Sequence, residues 1–182
     1  RKVLESAPGG TVAMVASGDV LIRLGSGLPA MDPADVILIG MRVPAETACH
    51  FGVFFSPRQK PRRLSFSLQK PSLDRLHALS DEDVYLVDTG LWLLSERAVT
   101  ALLDRCGWNP STASWLAGSP EVFDLYGGLG ASLGEHPIQR DPRLGRLSCT
   151  VAELEDAEFL HLGTSRQMIE SVSRLMNAPT RP

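Results

Sequence analysis

The sequence predicts an α/β domain on a mixed, mainly parallel sheet flanked by helices, and three observations carry that expectation. Short runs rich in Val and Ile alternate with stretches of helical spacing. The run Asp35 to Val43, DVILIGMRV, is apolar without alternation, which suits a strand covered on both faces. The 182 residues carry no repeat or low-complexity tract, and their number fits one domain with a sizeable core.

In chain order, Thr11 to Ala16 reads as a first buried strand and Asp35 to Val43 as a second. Gly52 to Ser56 (GVFFS) and Leu64 to Gln69 (LSFSLQ) flank a basic turn and read as a hairpin or paired edge strands. Val84 to Leu94 (VYLVDTGLWLL) is a strand interrupted by Asp88-Thr89-Gly90. Ser95 then stands where a helix N-cap belongs, with Glu96 in the first turn. Pro120 to Leu133 predicts a helix loosened by Gly127, Gly128 and Gly130. Leu147 to Leu154 returns to strand, and Ser165 to Met176 has helical apolar spacing after a Ser cap.

Composition bounds the function. The chain is 43% hydrophobic and 21% charged, as ordinary globular proteins are, and its formal net charge of -3 argues against a nucleic-acid or membrane-surface partner. The basic cluster Arg58-Gln59-Lys60-Pro61-Arg62-Arg63 reads as a solvated turn. Cys49, Cys106 and Cys149 lie far apart without metal-ligand spacing, which suggests reduced thiols and a cytoplasmic setting. No apolar run approaches the roughly 20 residues of a membrane span. The sequence opens on Arg1 rather than Met, as an internal piece of a longer chain would.

The candidate chemistry sits at strand ends, where open sheets bind ligands. In AMVASGDVL (Ala13 to Leu21), Asp19 follows a strand, and Gly18 lets backbone pass close to a ligand. Such a carboxylate is a hard oxygen donor suited to Mg²⁺ on phosphates. On those residues alone a plain turn is the better reading. Lys70 follows a strand and precedes Pro71, placed to meet a phosphate as a point charge, although on its own a solvated strand-end lysine is the better reading. Asp88-Thr89-Gly90 brings hydrogen-bonding groups and a glycine into a strand. Phe159 to Ser165 ends in Gly163 and Thr164 at a helix start, where backbone N–H groups meet anions. His161 alone reads more readily as a satisfied core histidine.

Taken together, ASGDV, HFGVFFS, SLQKPSLDRL, DTGLWLLSERAV, FDLYGGLGASLGEHP and EFLHLGTSRQMIES resemble, in order and spacing, the GDP-L-fucose pyrophosphorylase family within the sugar nucleotidyltransferases, including its bifunctional fucokinase members. The resemblance covers Val3 to Asn177. It implies a Rossmann-like nucleotidyltransferase catalytic domain, incomplete at its N-terminus, of which residues 1–182 form the later part. It implies Asp19 as the Mg²⁺ ligand, Lys70 on the sugar phosphate and Asp88-Thr89-Gly90 near the sugar. His50, Gly52, His161, Gly163 and Thr164 complete the implied substrate pocket. His161 departs from the wider superfamily, which often has a second metal-binding aspartate at that place.

The reaction so implied is guanylyl transfer from GTP to L-fucose-1-phosphate, giving GDP-L-fucose and pyrophosphate. The superfamily's glycine-rich, arginine-bearing nucleotide loop has no counterpart here, since Gly25-Ser26-Gly27 is followed by Leu28-Pro29 and reads as a surface turn. That loop is expected upstream of Arg1 and a fused sugar kinase downstream, and the chain alone is expected to be inactive. Another sugar or base specificity, or a non-catalytic nucleotide-sugar-binding module, stands as the alternative.

Overall fold

The computed structural model describes residues 6–25 and 27–177. Its elements run β1 (Thr11–Ala16), β2 (Val20–Leu24), β3 (Val36–Met41), α1 (Ala45–Ala48), β4 (Gly52–Pro57), β5 (Phe66–Gln69), α2 (Leu73–Leu79) and β6 (Asp83–Ser95). Then follow α3 (Glu96–Arg105), β7 (Trp108–Asn109), β8 (Ser114–Trp115), a π turn (Leu125–Gly130), β9 (Cys149–Leu154), β10 (Ala157–His161) and α4 (Ser165–Asn177).

The main sheet orders its strands β5-β4-β6-β3-β9, with β1 added to β6. The thirteen-residue β6 organises it: its first half pairs with β4, its second with β1, and β3 lies along both. The expected α/β mixture is present, but the sheet is mainly antiparallel. Among the described residues only the β3–β9 ladder is parallel; β1–β6, β3–β6, β4–β5 and β4–β6 all run antiparallel. The physical reason is that an apolar run reports cover on both faces and carries no information about a neighbour's direction.

That double cover is visible along β3. Val36 and Leu38 face one core with Phe54, Leu86, Trp92 and Leu94, while Ile37, Ile39 and Met41 face a second with Leu93, Ala152 and Leu154. A third cluster, Val53, Phe55 and Val87, is closed by Ala48 of α1 and Leu76 of α2. Neither short helix is announced by a long apolar period. Ser72 caps α2, its Oγ accepting from Arg75 N at 3.2 Å.

The β4–β5 hairpin pairs Gly52 with Gln69 and Phe55 with Phe66, as expected. Its basic turn is partly paired locally: Arg62 pairs with Asp32, Arg63 with Glu135, and Arg58 donates to the carbonyls of Ser80 and Asp81. Ser95 caps α3 as expected, accepting from Ala98 N at 3.2 Å. All three cysteines are free. No helix among the described residues is long and apolar enough to cross a membrane.

Two helix expectations change. Pro120 to Leu133 is irregular apart from the π turn and the helical residues 131–132 that continue it, and Asp124 caps that turn by accepting from Tyr126 N at 2.9 Å. Its glycines serve close packing instead: a Cβ on Gly128 would lie 2.7 Å from the Phe123 ring, and one on Gly130 3.0 Å from Trp92. The cap of α4 is Thr164, whose Oγ1 accepts from Gln167 N at 3.2 Å, so Ser165 is the first helical residue. Before that helix, β10 pairs antiparallel with β2 in a separate two-stranded ribbon. Gly25 and Gly27 are exposed, as a surface turn requires; Ser26 lies outside the described residues.

Candidate active site

The chain turns from β1 to β2 through Ser17-Gly18-Asp19, and this turn packs against the interruption in β6. Between Ile39 and Gly40 the β3–β6 register advances one residue on β3 and three on β6, leaving Thr89 and Gly90 as a bulge. Gly90 has φ +73°, and a Cβ there would stand 2.6 Å from Ser17 Cβ. The position therefore requires glycine on two counts. Ser17 N donates to Gly90 O at 2.9 Å, which locks the two segments together.

Around this junction lies a cleft of about 510 Å³. It is lined by Asp19 from the β1–β2 turn, His50 and Gly52 before and at the start of β4, Lys70 after β5, Asp88 and Gly90 from the bulge, and His161, Gly163 and Thr164 at the end of the ribbon. Nine of the ten residues picked out in the sequence thus meet in one space. Thr89 is the correction. It is 1% exposed and its Oγ1 donates to Ile39 O at 2.6 Å, so the bulge turns it into the sheet rather than toward the cleft.

Asp19 is half-exposed. Its Oδ1 accepts from the Ser17 hydroxyl and its Oδ2 lies 3.2 Å from His161 Nε2. The Ser17 hydrogen bond, aided by His161, holds its carboxyl below the usual carboxylate range, so it is ionised at neutral pH. Each oxygen keeps a lone pair for a further partner. Among the described residues no group of three His, Cys, Asp or Glu gathers to hold a metal. One open carboxylate fits a divalent cation carried mainly by substrate phosphates, the usual way Mg²⁺ is bound.

Asp88 is the electrostatic opposite. It is 6% exposed, and burial pushes its pKa up to about 6, against the hydrogen bonds it accepts from Gly90 N at 2.7 Å and Trp92 Nε1 at 3.0 Å. Lys70 is exposed at the rim with φ +47°, a left-handed conformation that is disfavoured twice, for a residue with a Cβ and for one preceding proline. Its N–H donates to Phe51 O at 2.9 Å, which holds the strained turn in place. Strain of this kind concentrates at ligand sites.

Sequence reasoning passed over Ser17, Phe51, Gln69, Tyr126, Phe159 and Gln167, all of which line the cleft. Gln167 had a signal: Thr164-x-x-Gln167 is a helix-opening capping pattern. Phe51 stands edge-on to both Phe159 (5.3 Å) and His161 (5.2 Å), a contact between segments that no local pattern announces.

Comparison with known proteins bears on the kinship of the chain. Over 176 residues, 97% of this chain, the sequence is 40% identical to the L-fucokinase/L-fucose-1-P guanylyltransferase of Bacteroides fragilis. The chain is a relative of that protein. It spans 18% of the relative's length. The similarity matches the six-segment resemblance in the sequence, and the relative's name joins a kinase to a nucleotidyltransferase. No protein-family model matches the chain. A solved structure described as mannose-1-phosphate geranyltransferase from Thermus thermophilus overlaps 76% of this chain and 40% of its own, at 17% identity and a TM-score of 0.47. At that overlap the likeness says nothing about chemistry.

Proposed function

We propose that this chain carries sugar-phosphate and metal-binding residues of a fucose-1-phosphate guanylyltransferase, working as part of a longer polypeptide. The observation that carries the reading is the meeting of Asp19, Lys70, Asp88 and His161, drawn from four separate segments, in one cleft of a chain 40% identical to a protein with that name. A phosphate oxygen of L-fucose-1-phosphate forms the new bond to the α-phosphorus of GTP. The bond from that phosphorus to the bridging oxygen breaks, and pyrophosphate leaves with its electrons. No proton has to be removed from the attacking anion, so positioning and charge neutralisation carry the rate.

Within that scheme Lys70 holds the sugar phosphate against a like-charged partner. Asp88, buried and ionisable, accepts from a sugar hydroxyl, and the N–H groups after Gly163 face phosphate oxygens at the start of α4. Asp19 is the residue that would hold Mg²⁺. The ion supplies neutralisation of charge across the phosphates. A sugar kinase in the same polypeptide and a cytoplasmic setting belong to the same reading, the first supported by the relative's name.

The test is Asp19→Ala in the full-length parent polypeptide. Guanylyl transfer should fall by orders of magnitude with the melting temperature retained, because the side chain is half-exposed and belongs to no core cluster. Undiminished Mg²⁺-dependent release of pyrophosphate would sink the assignment. Running GTP beside UTP in the same assay reads the base preference.

A further inference from the structure

A second cavity opens at the other end of the sheet and shares no lining residue with the cleft. β1 and β3 both run antiparallel to β6 and so point the same way. The cleft lies past the end of β1, whereas the cavity lies before β3 and at the start of β9, which is parallel to β3. It holds about 670 Å³, more than the 510 Å³ of the cleft. Leu64 and Leu147, 1% and 8% exposed, give it an apolar lining together with Pro33 and Pro61. Hydrogen bonds join its walls: Val151 N donates to Arg62 O at 2.8 Å, Glu135 N to Leu64 O at 3.1 Å and His136 N to Ser65 O at 2.8 Å.

The basic turn of the β4–β5 hairpin borders this cavity. Arg62 is paired with Asp32 and Arg63 with Glu135, so two of the three lining cations are matched by the two lining carboxylates. The third cation is Lys60, whose ammonium meets no carboxylate among the described residues. One positive charge is therefore left over beside an apolar interior. A concave, mostly apolar space with a few placed polar groups is the general form of a small-molecule site. A bare inorganic anion would gain nothing from the leucines, and a neutral apolar molecule nothing from the lysine. We propose that the cavity binds an organic monoanion with an aromatic or alicyclic body, the body lying against Leu64 and Leu147 and the charge meeting Lys60. Burial of the body supplies most of the affinity, and the ammonium selects the sign of the charge.

The experiment titrates the full-length parent polypeptide with anilinonaphthalenesulfonate, an aromatic monoanion, and in parallel with phenylnaphthylamine, the same ring system without the sulfonate. Fluorescence reads affinity, and hydrogen exchange by mass spectrometry reads where each probe sits. The anion should slow exchange in residues 60–64 and 147–150, which line the cavity. Lys60→Gln should weaken the anion about tenfold, the worth of a charge-assisted contact, while Lys60→Arg retains its affinity. Phenylnaphthylamine should bind all three proteins alike. Lys60 is exposed and belongs to no core cluster, so neither substitution disturbs the fold. No binding of the anion, slowed exchange confined to other segments, as when another part of the polypeptide fills the cavity, or anion affinity unchanged in Lys60→Gln would overturn the proposal. So would an equal loss of the neutral probe in that variant. Nucleotide transfer is not read, so this result and that of Asp19→Ala fail separately.

Discussion

Asp88 and Lys70 show how single residues in this cleft trade stability for chemistry. Because burial raises the Asp88 pKa from 3.8 to about 6, the folded chain holds a proton there that the unfolded chain has released. Stability therefore falls as pH rises between those values and is level above them. A shift of that size amounts to about 3 kcal/mol. Asp88→Asn keeps a carbonyl oxygen for Gly90 N and Trp92 Nε1 and removes the charge. It should stabilise the chain by up to about 3 kcal/mol at pH 7 and leave it unchanged at about pH 3.5, as read by urea unfolding at both values. Equal effects at the two pH values would show that the carboxyl is not desolvated. At Lys70 the strained backbone before Pro71 puts an exposed ammonium at the cleft rim. Lys70→Met in the parent polypeptide should cost about ten- to a hundredfold in use of fucose-1-phosphate, the worth of a charge-assisted contact, with little effect on GTP. Steady-state kinetics with each substrate varied in turn check it, and a loss confined to GTP would move Lys70 to the nucleotide.

At the scale of elements, capping decides where several helices begin. Ser95 ends β6 and opens α3, its Oγ accepting from Ala98 N and donating to Asp35 Oδ1, both at 3.2 Å. Asp35 in turn accepts from Arg97 and from Ser148 N, tying the start of α3 to the links before β3 and β9. Ser95→Ala should cost about 1–2 kcal/mol, seen as a lower urea midpoint with unchanged slope. This helix start was legible because a cap serine and a first-turn glutamate are neighbours in sequence. The interruption of β6 was legible for the same reason, since Asp88-Thr89-Gly90 breaks an apolar run from within. Strand direction was not, because an apolar run is the same read beside a parallel or an antiparallel neighbour. The β2–β10 ribbon was not either: Arg23 and Glu158, which pair across it, are 135 residues apart. Within the site, Asp19, Lys70 and His161 stood out through the motifs around them. Their cleft neighbours Ser17, Tyr126 and Gln167 gain meaning only when the fold brings them together, and Thr89 was misplaced because its side of the strand depends on the bulge.

For the whole molecule, the cleft joins two parts of unequal firmness. One wall is the main sheet, where β6 is bonded along its length to β1, β3 and β4 and buries Leu86, Val87, Trp92, Leu93 and Leu94. The other is the β2–β10 ribbon, two strands that would be marginal alone and that lean on the sheet through Ile22 and Phe159. Asp19 and His161 belong to the ribbon's end, closed by Leu162 N donating to Asp19 O at 2.7 Å. Local opening should therefore separate the ribbon from the sheet well below the free energy of global unfolding. Hydrogen exchange read by mass spectrometry should find the amides of β3 and of the second half of β6 slowest, and those of β2, β10 and the start of α4 faster. Added GDP-fucose should slow exchange from Asp19 to Ile22 and from His161 to Gln167, because a ligand bridging the two walls holds the ribbon shut, and should leave β6 unchanged. Ribbon amides as slow as those of β6 would contradict the division into firm and loose walls. Exchange indifferent to GDP-fucose would instead remove the cleft from the binding reaction.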